Sequence, residues 1–75
     1  MMEFDRITFN PAVMGGKACI RGTRITVSVI VGLIAEGHSR EEILREYHPY
    51  LAPEDVEQAL KYAAMRVQER ELPLP

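Results

Sequence analysis

Between Gly15 and Val27 the chain reads GGKACIRGTRITV, and the three glycines in this stretch limit what the chain can fold into. Glycine takes positive φ without steric cost, so Gly15-Gly16 and Gly22 predict two sharp reversals. The pieces between and after them, Ala18-Cys19-Ile20 and Arg24-Ile25-Thr26-Val27, are short and β-prone. A tight hairpin around Arg21-Gly22-Thr23 is therefore expected, with Lys17, Arg21 and Arg24 projecting from it. The remainder is expected to be a helical body on which this basic ribbon is mounted.

Seventy-five residues make one domain. A chain of this size hides only about 60 to 65% of its unfolded surface on folding. Disulfides, a metal or a partner usually supply what is missing. Cys19 is the single cysteine, and Cys19, His38 and His48 lack any zinc-ligand spacing. No metal or cofactor is expected. Association is, as a homodimer or as a complex with another protein. The lone thiol suits a reducing cytosol, and the opening MMEFDRITFN carries acids and no apolar core segment. The apolar run from Ile25 to Ala35 is about half the length that crosses a bilayer. A cytoplasmic location away from membranes is the expectation.

The formal net charge is −2, but the charge is unevenly placed. Residues 1–26 carry four Lys/Arg against two acids, and residues 27–75 carry five against nine. Surface potential acts over about 8 Å at physiological salt, so a basic ribbon on an acidic body can still meet an anion.

Ile7-Thr8-Phe9 is a short strand candidate ended by Asn10-Pro11, and pairing with the hairpin gives two or three short strands. A first helix is predicted from Val27 or Ser28 to Glu36, capped by Thr26 and closed by Gly37. Val27, Ile30, Val31 and Ile34 form its stripe, which Val29 and Leu33 widen until it is apolar almost all round. Such a helix needs cover on more than one side. Ser39-Arg40-Glu41-Glu42 reads as a capping box. The short helix it opens turns Ile43, Leu44 and Tyr47 inward and stops at His48-Pro49. A last helix begins at Pro53 and reaches Arg70, with Val56, Ala59, Leu60, Ala63 and Val67 as its buried stripe. The fold class is thus mainly α: residues 1–26 form strands and ribbon, 27–70 a three-helix, helix-turn-helix-like body, and 71–75 a short tail.

Lys17, Arg21 and Arg24 are the candidate binding residues, with Gly15, Gly16 and Gly22 shaping the turns. Cations on a glycine-flanked ribbon suit phosphate contact or docking on a carboxylate cluster. The plainer alternative is that the glycines only turn the chain and the cations only keep it solvated. The amino end of the last helix, where a DNA-reading helix places its base contacts, holds Glu54, Asp55, Glu57 and Gln58, and phosphate repels the three carboxylates. Cys19 is expected to be a small buried hydrophobe, and Glu41, Glu42 and Glu46 a solvated face plus a cap. Tyr47, Tyr50 and Tyr62 are expected to be half-buried wedges with the hydroxyl in water, or dimer contacts. No nucleophile–base pair, carboxylate pair or metal set can be assembled, so neither an enzyme nor a small-molecule substrate is expected.

With these pieces together, the chain resembles the family called domain of unknown function 433. The resemblance rests on Ile7, Asn10-Pro11, GGKACIRGTRITV, and the corner from Leu33 to Glu36-Gly37-His38-Ser39. Glu42-Ile43-Leu44 and PEDVEQALKYA from Pro53 to Ala63 complete it. Ala18 departs from the family's usual proline, and Ala52 from its usual Thr/Ser helix cap, a loss of about 1 kcal/mol. The resemblance implies a homeodomain-like trihelical fold after short strands. It also implies a VapB-type antitoxin paired with a PIN-like nuclease toxin. The leading expectation is that the chain binds and inhibits that nuclease, with its own promoter DNA as a second target of the basic ribbon. Two alternatives stand beside it: a DNA-binding transcriptional regulator without a toxin, and an oligomerisation module.

Overall fold

The computed structural model describes residues 4–69. Two strands, β1 (Ile7–Thr8) and β2 (Cys19–Ile20), precede three helices, α1 (Val27–Ala35), α2 (Arg40–Glu46) and α3 (Pro53–Glu69). The strands pair antiparallel, Ile7 opposite Ile20 and Thr8 opposite Cys19. The protein is mainly α with one two-stranded sheet.

Both expected strands outside this pair are cut short. Phe9 leaves β1, stands 57% exposed and leans on Tyr62 with ring centroids 5.8 Å apart. The second hairpin arm, Arg24–Val27, shrinks to one bridge between Thr26 and Cys19. The reason is local competition: Thr26 caps α1, its hydroxyl accepting the Val29 N–H at 3.2 Å, so Val27 is already helical. The Val27 N–H, orphaned at the helix start, goes to the Ala18 carbonyl at 2.9 Å. Ahead of β2, Met14, Gly15 and Gly16 all have positive φ and make a single reversal, closed by the Gly16 N–H on the Val13 carbonyl at 3.0 Å.

Helix ends follow the sequence signals closely. α1 closes with paired bonds, His38 N–H to Leu33 and Gly37 N–H to Ile34, around Gly37 at φ +100. This is the left-handed closure that glycine makes cheap. At α2 the capping box is complete: Glu42 N–H donates to the Ser39 hydroxyl at 3.1 Å, and Ser39 N–H to the Glu42 carboxylate at 2.7 Å. At α3, Ala52 supplies no side-chain cap, but Asp55 reaches back and accepts the Ala52 N–H at 2.8 Å. Half of a capping box therefore survives where its loss was expected.

One core joins these pieces. Ile7 and Ile20 of the sheet, Val27 and Ile30 of α1, Ile43 of α2, Leu51 of the link, and Val56 and Ala59 of α3 form it. Cys19 is buried among them, as a small hydrophobe should be. Val67 is expected to be buried and Tyr50 to be a half-buried wedge or a dimer contact; neither is covered within the chain. Val67 is 69% exposed, because α3 outruns the short elements that could cover its last turns. Tyr50 is 70% exposed, because the chain after α2 turns outward before Leu51 dives into the core. The end of α3 at Arg70 and the tail after it lie outside the described residues. Among the described residues, no helix is long and apolar enough to cross a membrane.

Candidate functional site

The ribbon's tip is held by hydrogen bonds. Ile20 to Thr23 make a turn closed by the Thr23 N–H on the Ile20 carbonyl at 3.0 Å. Gly22 occupies the third position with φ +78, a value that excludes most other side chains. Thr23 adds its hydroxyl twice, donating to the Ile20 carbonyl at 2.9 Å and accepting the Ile25 N–H at 3.0 Å. The Ile20 N–H then bonds the Ile25 carbonyl, and the Arg21 N–H bonds the Arg6 carbonyl of the neighbouring chain segment. The backbone under Arg21 and Arg24 is therefore fixed on both sides.

From this tip both arginines reach solvent. Arg24 stands at the edge of an open groove of 660 Å³ whose walls include Tyr47, Tyr50, Asn10 and Thr23. Arg21 lies close enough to Asp5 to help keep that carboxyl below its ordinary value, although the larger cause is the hydrogen bond from Gln58. Lys17 is separate: it lines a second groove of 520 Å³ between α1 and α3, with Val31, Tyr62, Ala63 and Arg66. Two of the three predicted cations thus share the tip, and the third belongs to another part of the surface. None of the three forms an ion pair among the described residues.

A fourth cation, Arg6, behaves differently, and sequence reasoning missed it. Its guanidinium donates to Asp55 at 2.9 Å and to Glu54 at 3.3 Å, while its backbone N–H donates to the Gln58 side chain at 3.1 Å. Gln58 in turn donates to Asp5 at 2.7 Å. The bond from Arg6 to Asp55 is the first cause that raises the arginine's pKa above its already high ordinary value, with the charge of Asp55 next. Asp55 is only 4% exposed and serves both Arg6 and the start of α3. This network occupies the amino end of α3, so Glu54, Asp55 and Gln58 already have partners within the chain. A polar residue three positions into a helix that lacks a side-chain cap was the one available signal for Asp55. Nothing in the sequence marks Arg6, whose partners lie 48 to 52 residues away.

Among the described residues, no group of three or more His, Cys, Asp or Glu could hold a metal ion. His38 sits half-buried in the corner between α1 and α2, and His48 is exposed.

A mainly α protein with a two-stranded sheet and a rigid, cation-tipped ribbon is the class that these features define. Residues 7–63 match the family described as Protein of unknown function (DUF433), and the chain belongs to that family. A DUF433 member from Anabaena variabilis, known from a crystal structure, superposes with a TM-score of 0.79 at 35% identity. That comparison covers 87% of this chain and 63% of that one. The uncharacterized protein y4eO of Sinorhizobium fredii is 37% identical over 57 residues, which is 76% of this chain and 25% of that protein. The chain thus spans about a quarter of that relative's length and less than two thirds of the solved chain.

Proposed function

We propose that this protein is an antitoxin-like docking module, of the VapB type, that binds and silences a PIN-like nuclease. Its helices are read as a homeodomain-like body, and its ribbon as the surface that meets the nuclease. Arg21 or Arg24 would enter the carboxylate cluster that holds the nuclease's divalent metal, where a planar guanidinium matches a carboxylate with two parallel hydrogen bonds. Tyr47 and Tyr50 would pack the rim. Tyrosine beside arginine is the composition that carries most binding energy at protein interfaces.

One observation carries this reading: Arg24 is exposed on a hydrogen-bonded turn, beside a tyrosine-lined groove, with no ion pair of its own among the described residues. A turn whose backbone is already fixed has little backbone entropy left to lose when Arg24 binds. Own-promoter DNA remains a second target for the same ribbon. Reading of DNA by α3 is disfavoured, since its amino end is acidic and already engaged by Arg6.

The test is whether the chain with Arg21→Glu and Arg24→Glu still inhibits a PIN-like nuclease that the native chain inhibits. The double variant is expected to lose inhibition and co-purification, while its thermal melt stays within a few degrees of the native one. Unchanged inhibition overturns the mechanism. Retention of a promoter fragment by the native chain at low salt, with no effect on the nuclease, would favour the regulator reading instead.

A further inference from the structure

The outward side of α1 carries no charge at all. The helix reads VSVIVGLIA, and only Val27 and Ile30 are fully buried. Ser28, Val29 and Ala35 are exposed, with Gly32 half-exposed between them. A helix face in water ordinarily bears charged side chains, and one without them is suited to burial. Gly32 adds a second reason. Glycine inside a helix costs about 1 kcal/mol relative to alanine, and a Cβ here would meet nothing within 4 Å. The chain's own packing does not ask for glycine at this place. Close approach of another backbone would.

The two ends of this face are oppositely charged. The bond from the Val27 N–H to the Ala18 carbonyl sets Lys17 beside the start of α1, where it shares a groove with Ser28. Glu36 caps the other end. Both side chains are exposed, and neither forms an ion pair among the described residues.

We propose that two copies of this chain pair through this face, α1 antiparallel to α1, about a two-fold axis near Gly32. Antiparallel pairing sets Lys17 of each copy against Glu36 of the other, twice by symmetry, and lays the helix dipoles head to tail. Parallel pairing sets like charges together. A helix of nine residues is only about 13 Å long, and contact along it alone is small for a stable dimer. Val31, Tyr62 and Ala63 in the adjoining groove extend the contact toward α3. The pairing also gives a 75-residue chain burial that its own core lacks. It neither requires nor prevents the docking role of Arg21 and Arg24.

Sedimentation velocity across a concentration series tests this, with a thermal melt of each variant to confirm folding. The native chain is expected to dimerise. Gly32→Leu, whose Cβ meets nothing within 4 Å in one copy, is expected to stay monomeric at the same concentrations. Lys17→Glu and Glu36→Lys each weaken pairing by about tenfold or more. The double variant carrying both changes regains it, and an equimolar mixture of the two single variants forms the mixed dimer. A native chain that is monomeric throughout, or a dimer that ignores Gly32→Leu or both charge reversals, overturns the proposal.

Discussion

Asp55 shows how much one side chain can hold. It is almost fully buried, accepts the Ala52 N–H that starts α3, and anchors the Arg6 guanidinium from the far end of the chain. Removing it leaves the part-buried Ala52 N–H without its acceptor and the Arg6 guanidinium with Glu54 alone, a penalty above the net worth of an ordinary hydrogen bond. Asp55→Ala is expected to lower unfolding stability by about 2 to 3 kcal/mol in a urea titration. Glu57→Ala provides the contrast. Its pair with Lys61, at 3.4 Å, is an exposed neighbour on the same helix, and its loss should cost no more than about 0.5 kcal/mol. From sequence, both residues were simply acids near a helix start. Their difference lies in what a residue 49 positions away places against one of them.

Among the elements, α2 is the most legible, and acid weakens its cap. Ser39 and Glu42 exchange two hydrogen bonds, as the spacing S-x-x-E predicts. The Ser39 N–H, and then its hydroxyl, stabilise the ionised carboxylate and hold Glu42 below its ordinary value of 4.5. A carboxyl depressed on folding gives stability that is present above its unfolded value and fades as pH falls through the folded one. The melting temperature of the native chain should therefore exceed that of Glu42→Gln at neutral pH, and the gap should close as the pH is taken below 4.5. A gap that widens in acid would contradict this origin. α1 was equally clear at its two ends, where Thr26 and Gly37 both act as their types predict. Its preceding strand was not, because Thr26 can end a strand or cap a helix, and only the cap leaves the Val27 N–H facing Ala18.

For the whole molecule, the core is the cooperative unit, and Ile30 stands at its centre with no exposed surface. Ile30→Ala should cost about 3 kcal/mol, read as a lower urea midpoint with an unchanged slope. Periodicity found Ile30, Ile43, Val56 and Ala59 because each lies on a stripe that any packed helix must bury. It misjudged Val67, since a stripe says which face is apolar, while exposure depends on whether another element extends far enough to cover it. The candidate site divides in the same way. Local chemistry determined the turn at Gly22, the cations beside it, the helix caps and the mainly α class, because each depends on residues a few positions apart. Tertiary structure alone decided that Lys17 parts from Arg21 and Arg24, that Tyr47 and Tyr50 flank Arg24, and that Arg6 closes the acidic end of α3. Those placements bring together groups far apart in the chain, and the shared core that sets their separation has no trace in any local pattern.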